Sequence, residues 1–348
     1  MEYKLESFVW EFTMGCNMRC RHCASACKER LPDELTTEES LALVDDIALL
    51  KPKWMSFSGG EPLLRDDWYE IAKKIQSYGI DVRMITNGSL INEDCVQRMK
   101  DAGMSIISVS MDGTREIYNY IRGGDFYSLA ENALSLLGKA GIASGSNTTV
   151  IKENIDNLPE LRNELVRMGV RSWQIQPGLP DGNLAENRES ILEPDDFLKL
   201  IDFAYEENKK GDIYVALAED IGYYTRKEII TRKAALQSDK LPVWDGCNAG
   251  IRSLGISHNG DITGCTSIRR KGFIEGNVRS RRVSDIWTDE NSFAWRRQLS
   301  QDKLKGFCKT CIYINCLGGC SNVRLTMHDD LFAENKYCVY NLQKNISA

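Results

Sequence analysis

Six short apolar runs alternate with amphipathic stretches between residues 8 and 211, and this alternation limits the fold more than any other feature of the chain. The runs FVWEFT (8–13), KWMSFS (53–58), DVRMITN (81–87), SIISVSM (105–111), GSNTTVI (145–151) and RSWQIQP (171–177) have the length and residue types of strands. The stretches 36–50, 66–79, 92–103, 126–141, 154–169 and 193–211 have helical spacing, and all but the first end on a glycine suited to a helix C′ position. The first opens at Thr36 or Thr37 as N-cap, with Glu38 and Glu39 in its first turn. Six βα units in register predict a parallel sheet buried on both faces, either open and doubly wound or a partial barrel. Either form places chemistry at the C-terminal strand ends. Gly15–Cys16, Gly59–Gly60–Glu61–Pro62, Asn87–Gly88 and Asp112–Gly113 follow the first four strands and mark one rim.

What the rim holds depends on the cysteines. No apolar run approaches the 18 residues of a membrane span, and MEYKLESFVWEFT lacks a basic segment leading into an apolar one. A cytoplasmic location, with no membrane partner, is therefore expected. The net charge of −6 gives no positive field for nucleic acid, whose sole support is the basic pair of segments 269–271 and 279–282. In a reducing compartment, 12 cysteines are more readily ligands than disulfides. They stand at 16, 20, 23 and 27, then at 95, then at 247, 265, 308, 311, 316, 320 and 338. Cys16, Cys20 and Cys23 are spaced C-x3-C-x2-C, and three thiolates do not close a tetrahedral zinc site. They suit a four-iron cluster with one iron left open.

That spacing, with His22 before the third cysteine, resembles the signature of the radical S-adenosylmethionine (radical SAM) enzymes. The resemblance implies a partial (β/α)6 TIM-like barrel, α/β in class. It also implies a [4Fe-4S] cluster on Cys16, Cys20 and Cys23 whose open iron binds S-adenosyl-L-methionine (SAM). Reductive cleavage of SAM to a 5′-deoxyadenosyl radical would follow, then hydrogen abstraction from a substrate. Gly59, Gly60, Glu61 and Pro62 resemble the family's motif for the methionine ammonium. Ser110 resembles its ribose-contacting position, and Arg122 the arginine that meets the methionine carboxylate. Asn87 and Gln176 are rim positions suited to SAM.

The cysteines at 247, 265, 308, 311, 316, 320 and 338 resemble the SPASM extension, which binds auxiliary iron–sulfur clusters. Between Cys311 and Cys316 stand four residues where five are usual. By the resemblance, Cys308, Cys311, Cys316 and Cys338 would hold one auxiliary [4Fe-4S] cluster. Cys247, Cys265 and Cys320 would hold a second, with its fourth ligand unassigned. The expected division is a barrel at 1–211, a connector at 212–246 and a small cysteine-rich SPASM module at 247–348. Within that module GIRSLGISHNGDITGC (250–265) predicts a hairpin about Asn259–Gly260, and 284–299 a helix capped by Ser284.

Relatives with SPASM modules chiefly modify peptides and proteins, so maturation of a ribosomal peptide is the leading expectation: crosslinking, thioether formation, oxidation or epimerisation. The first strand starts so near the N-terminus that a fused leader-binding domain is not expected. A separate leader-binding carrier protein and a reductant such as flavodoxin or ferredoxin are expected partners. Thr266-Ser267-Ile268 after Cys265 argues against formylglycine formation. The alternative is oxidation of a small-molecule precursor in cofactor or antibiotic synthesis, such as a porphyrin. A non-catalytic iron–sulfur protein is a remote third. Cys27 is a candidate hydrogen donor, and Cys95 is expected to fill the core.

Overall fold

The structure, a computed structural model, describes residues 3–218, 224–235 and 246–346. Parts of the expected connector, 219–223 and 236–245, lie outside the described residues.

The six expected strands form at β1 (Ser7–Thr13), β2 (Trp54–Gly59), β3 (Asp81–Thr86), β4 (Ile106–Ser110), β5 (Ala143–Val150) and β6 (Ser172–Pro177). They pair in parallel in sequence order. The partial barrel is extended beyond the expected units by β7 (Tyr214–Leu217), which pairs with β6. Its four residues lie where no period is visible in the sequence. The hairpin about Asn259–Gly260 is present as β8 (Ser253–Ile256) and β9 (Asp261–Thr263), followed by β10 (Gly276–Asn277). It is not confined to a separate module: β8 runs parallel to β1 from Ser7↔Ser253 to Trp10↔Ile256. One ten-stranded sheet therefore carries both cysteine-rich regions, in the order β10-β9-β8-β1-β2-β3-β4-β5-β6-β7.

Helices cover the sheet. They are α1 (Thr37–Ala48), α2 (Trp68–Ser77), α3 (Glu93–Asp101), α4 (Arg115–Arg122), α5 (Tyr127–Lys139), α6 (Leu158–Arg167), α7 (Pro194–Lys210) and α8 (Arg226–Ala235). Thr36 caps α1 in a capping box with Glu39, satisfying two N–H groups that the first turn leaves open. The free edge of β7 is closed locally by Asn208 of α7, whose side-chain amide donates to Val215 O at 2.9 Å and accepts from Val215 N at 2.8 Å. This copies a strand's hydrogen bonds and blunts the edge. Under the sheet, Trp10, Phe12 and Phe57 pack with centroids 5.2 and 4.7 Å apart, and all three are fully buried.

The C-terminal region adds α9 (Val283–Thr288), α10 (Ala294–Arg297), α11 (Gly306–Thr310), α12 (Ser321–His328) and α13 (Val339–Ile346). The single helix expected at 284–299 is broken at Phe293, which takes φ of +56° to bury its ring against Trp287. Ser284 is not the cap but sits inside α9, donating to Asp46 Oδ1 at 2.5 Å. The basic segments are spent on ion pairs: Arg269 with Glu11, Arg270 with Asp329, Arg279 with Glu39, Arg281 with Asp289 and Arg282 with Asp285. Among the described residues no helix is long and apolar enough to cross a membrane.

Candidate active site

The loop after β1 carries Cys16, Cys20 and Cys23. It is folded by two successive turns, Cys23 N–H to Cys20 O at 3.3 Å and Ala26 N–H to Cys23 O at 3.2 Å. The three thiols are near enough to influence one another's ionisation. Burial pushes the Cys20 thiol up to about 11, against the opposing pull of Arg122. Cys23 is shifted the other way, because the Cys27 thiol donates a hydrogen bond to it; Cys27 is correspondingly pushed up. Among the described residues no three Cys, His, Asp or Glu side chains converge as for a single ion. A four-iron cluster differs, since it spreads its ligands over its corners.

Cys27 is 3% exposed, packs its sulfur 3.9 Å from Met14 Sδ, and is not among the residues lining the cleft described below. The candidate hydrogen donor of the sequence reading is thus a buried thiol close to Cys23. Cys95 is buried in the main core, as expected.

Across the loop from Cys20 stands Arg122, the last residue of α4, a helix that escapes the sequence reading because it follows β4 as one short extra segment. Arg122 Nη2 pairs with Asp112 Oδ2 at 2.5 Å, and Nη1 points to Cys20 Sγ at 3.6 Å. Asp112 is fully buried and also bonds His22 Nε2 at 2.9 Å and the Thr149 N–H at 3.0 Å. Burial alone would raise the Asp112 carboxyl; Arg122 and His22 overcome it and hold the group below the usual carboxylate range. The same pairing raises Arg122. Asp112 was visible in the sequence only as the residue before Gly113 at the end of strand four. Its role depends on partners 90 and 10 residues away, which no local pattern reveals.

Arg122 Nε is buried without a hydrogen-bond partner among the described residues. A cleft of ≈ 210 Å³ opens beside it, lined by His22, Cys23, Gly59, Ser110, Arg122, Thr149 and Gln176 from the barrel. Leu179 and Asp181 follow β6, and Ser267, Arg269 and Asn322 come from the cysteine-rich region. Three thiols beside a buried guanidinium with a spare donor fit a cluster and an anionic ligand at its edge.

Of the eight residues expected to contact SAM, Gly59, Ser110, Arg122 and Gln176 line this cleft. Gly60, Glu61, Pro62 and Asn87 are not among its lining residues. The Glu61 carboxylate is fully buried and accepts from Thr86 Oγ1 at 2.8 Å, Asn87 N at 2.8 Å and Leu63 N at 3.2 Å. These bonds brace the ends of β2 and β3. Asn87 is likewise spent on Asn17 and Ser89. Pro62 starts a short 3-10 turn. Gly60 is needed for a backbone crossing: a Cβ there would lie 2.0 Å from Gly15 O, just before Cys16. Arg65, 1% exposed, secures the same corner by pairing with Asp67 at 2.5 Å over the Phe12 ring.

In the C-terminal region Cys308, Cys311, Cys316 and Cys338 line one small cavity of ≈ 20 Å³ with Tyr224, Tyr313 and Tyr340. The Asn335 N–H donates to Cys308 Sγ at 3.4 Å, the kind of bond that steadies a ligating sulfur. Cys247, Cys265 and Cys320 sit on three elements: before β8, after β9 and at the N-cap of α12. The Cys247 carbonyl accepts from Arg296 Nε at 2.8 Å, and Cys320 packs with Leu179 and Val323.

Residues 10–165 match the radical SAM superfamily, and residues 247–312 match the SPASM iron–sulfur cluster-binding domain. The chain is similar to the AdoMet-dependent heme synthase of Oleidesulfovibrio alaskensis, at 28% identity over 98% of this chain and 88% of that one. It is similar to the mycofactocin maturase MftC of Mycobacterium tuberculosis, at 28% identity over 90% of this chain and 77% of that one. Its fold matches native anSMEcpe with bound AdoMet and a Cp18Cys peptide, with a TM-score of 0.73 and 20% identity over 98% and 99% of the two chains.

Proposed function

Since the chain belongs to the radical SAM superfamily and carries a SPASM iron–sulfur domain, we propose that this enzyme modifies a peptide or protein by hydrogen abstraction in the cleft beside Cys23. The observation that carries the reading is that one cleft is lined by Cys23 and Arg122 of the barrel and by Ser267, Arg269 and Asn322 of the SPASM region. A [4Fe-4S] cluster held by Cys16, Cys20 and Cys23 would supply the electron that cleaves SAM to a 5′-deoxyadenosyl radical. Arg122 would receive the methionine carboxylate through its unpartnered Nε, with Asp112 holding the guanidinium in place. Gly59, Ser110 and Gln176 would contact the rest of SAM. Ser267, Arg269 and Asn322 would limit the access of water to the radical. Cys308, Cys311, Cys316 and Cys338 would hold one auxiliary [4Fe-4S] cluster, and Cys247, Cys265 and Cys320 a second. A barrel, a connector and a SPASM module, bounded near 211 and 247, remain the proposed functional units.

A peptide suits the lining. Ser110, Thr149, Gln176, Ser267 and Asn322 offer neutral donors and acceptors of the kind that read backbone amides. Large apolar side chains of the kind that would wall a macrocycle are scarce, since Leu179, Pro177 and Ala24 are the aliphatic residues of the lining. A separate carrier protein presenting the peptide, and a flavodoxin or ferredoxin as reductant, complete the proposal. Lys227 and Arg232 of α8, which could meet an acidic leader, are already paired with Asp202 and Glu228.

A second reading, oxidation of a small porphyrin-type precursor, is favoured by one observation. The similarity to the heme synthase covers 98% of this chain and 88% of that one. The test is anaerobic incubation of the cluster-loaded protein with SAM and dithionite, assaying 5′-deoxyadenosine by chromatography. Candidate precursor peptides and an iron porphyrin are then followed by mass spectrometry. A mass change in a peptide upholds the first reading and one in the porphyrin the second. No 5′-deoxyadenosine sinks both.

A further inference from the structure

The loop after β6 reaches back to the three-cysteine loop through its backbone. Asn183 Nδ2 donates to the Cys20 carbonyl at 2.8 Å, and the Asn183 N–H donates to the Cys23 carbonyl at 2.9 Å. These are the same carbonyls that accept the two turns of the cysteine loop. Gly182 permits the approach: it takes φ of +52°, and a Cβ there would lie 2.3 Å from Cys23 O and 2.5 Å from Ala24 O. Asn183 is itself held, because Asn187 Nδ2 donates to its carbonyl at 2.8 Å. Its neighbour Leu184 is 1% exposed and packs with Ile121, Ile151 and Ile191.

The opposite side of the cysteine loop is gripped by the end of α4. The Arg21 N–H donates to Ile121 O at 2.8 Å, and Arg122 reaches Cys20 Sγ. Ile121 and Leu184 lie in one apolar cluster, so the two grips share a support. Between Cys20 and Cys23 the chain has soft dihedrals and no regular ladder. Without external bonds its carbonyls would be fixed only by one weak turn each.

We propose that Asn183 is a positioning residue for the Cys20–Cys23 segment, pinning both turn carbonyls so that the two sulfurs are presented at a set separation and direction. This rests on the reading of Cys16, Cys20 and Cys23 as cluster ligands. Groups hydrogen-bonded to ligating side chains change metal affinity or activity by about 10–100-fold when lost, and Asn183 acts one step further out, on the backbone that carries the sulfurs.

The test uses the full chain, loaded with iron and sulfide and kept free of oxygen, as parent, Asn183→Ala and Asn183→Asp. Asn183→Asp keeps the side chain's shape and the backbone N–H but removes the amide donor to Cys20 O, which protects the experiment if Asn183→Ala fails to fold. The readouts are the electron paramagnetic resonance spectrum of the reduced protein with and without SAM, and SAM affinity by equilibrium dialysis. The expected result is a SAM-induced spectral change that is weakened or altered, together with a loss of SAM affinity relative to the parent. Spectra and SAM affinity equal to the parent's in a folded variant would overturn the proposal, even if its melting temperature fell. A parent with no SAM-induced change would instead overturn the ligand reading, and the proposal with it.

Discussion

Replacing Asp112 by Asn tests the electrostatic centre of the site. Asp112 and Arg122 are both within the protein, with side chains 0% and 10% exposed, and their charged atoms are 2.5 Å apart. Removing one partner of such a pair leaves the other charge desolvated, at a cost of about 3–5 kcal/mol. Asn keeps an acceptor for the Thr149 N–H, so that bond is not part of the loss. His22 retains a hydrogen-bonding neighbour but loses an anionic one. Arg122→Met should cost a similar amount, because Asp112 then keeps only His22 and Thr149. The double variant should cost less than the sum of the singles by at least about 2 kcal/mol, since no lone buried charge remains. Guanidinium unfolding of the cluster-free chains, followed by tryptophan fluorescence, measures all four corners of the cycle. Asp112→Asn within about 1 kcal/mol of the parent, or strictly additive singles, would refute the idea that Arg122 depends on Asp112.

Three further outcomes are expected. Gly60→Ala forces a Cβ to 2.0 Å from Gly15 O, backbone against backbone, and should destabilise by about 3 kcal/mol or more; a melting temperature equal to the parent's would show that the crossing is looser than it looks. Glu39 is drawn from its ordinary 4.5 down to about 2 by its hydrogen bonds with Arg279, so its contribution is complete above the ordinary value and lost as pH falls through about 2. Acid unfolding of Arg279→Ala should accordingly show less steepening between those values than the parent, and identical acid limbs would remove the pair from the account. Iron and sulfide analysis should give about 12 irons per chain, three clusters of four, falling to about 8 in Cys308→Ala/Cys311→Ala; an unchanged count in that variant would end the auxiliary assignment of these cysteines.

Several parts of this protein are written locally. The βα alternation, the Thr36 cap and the Asn259–Gly260 turn each depend on residues within a few positions, so propensity and spacing expose them. The C-x3-C-x2-C spacing is equally local, because all three cysteines stand in a single loop after β1. The four tail cysteines were also legible as a set, and they line one cavity. Glu61 and Asn87 show where such reading stops. Both stand at strand ends as expected, and their side chains bond the neighbouring loop ends, whereas Gly59, Ser110, Arg122 and Gln176 line the cleft. A strand end fixes where a residue stands but not the rotamer its neighbours impose.

The sequence by itself determined the elements, the rim where glycines and polar residues collect and the cysteine spacing proposed to hold clusters. Only the tertiary structure decided which polar groups face the cleft, that α4 delivers Arg122 to Asp112, that Asn183 grips the turn carbonyls of Cys20 and Cys23, and that β8 joins the barrel sheet beside β1. The reason is physical. Hydrogen bonds and ion pairs between residues 90 or 160 positions apart have no period in the chain, and they exist only once burial has made an unpaired donor or charge too costly to leave.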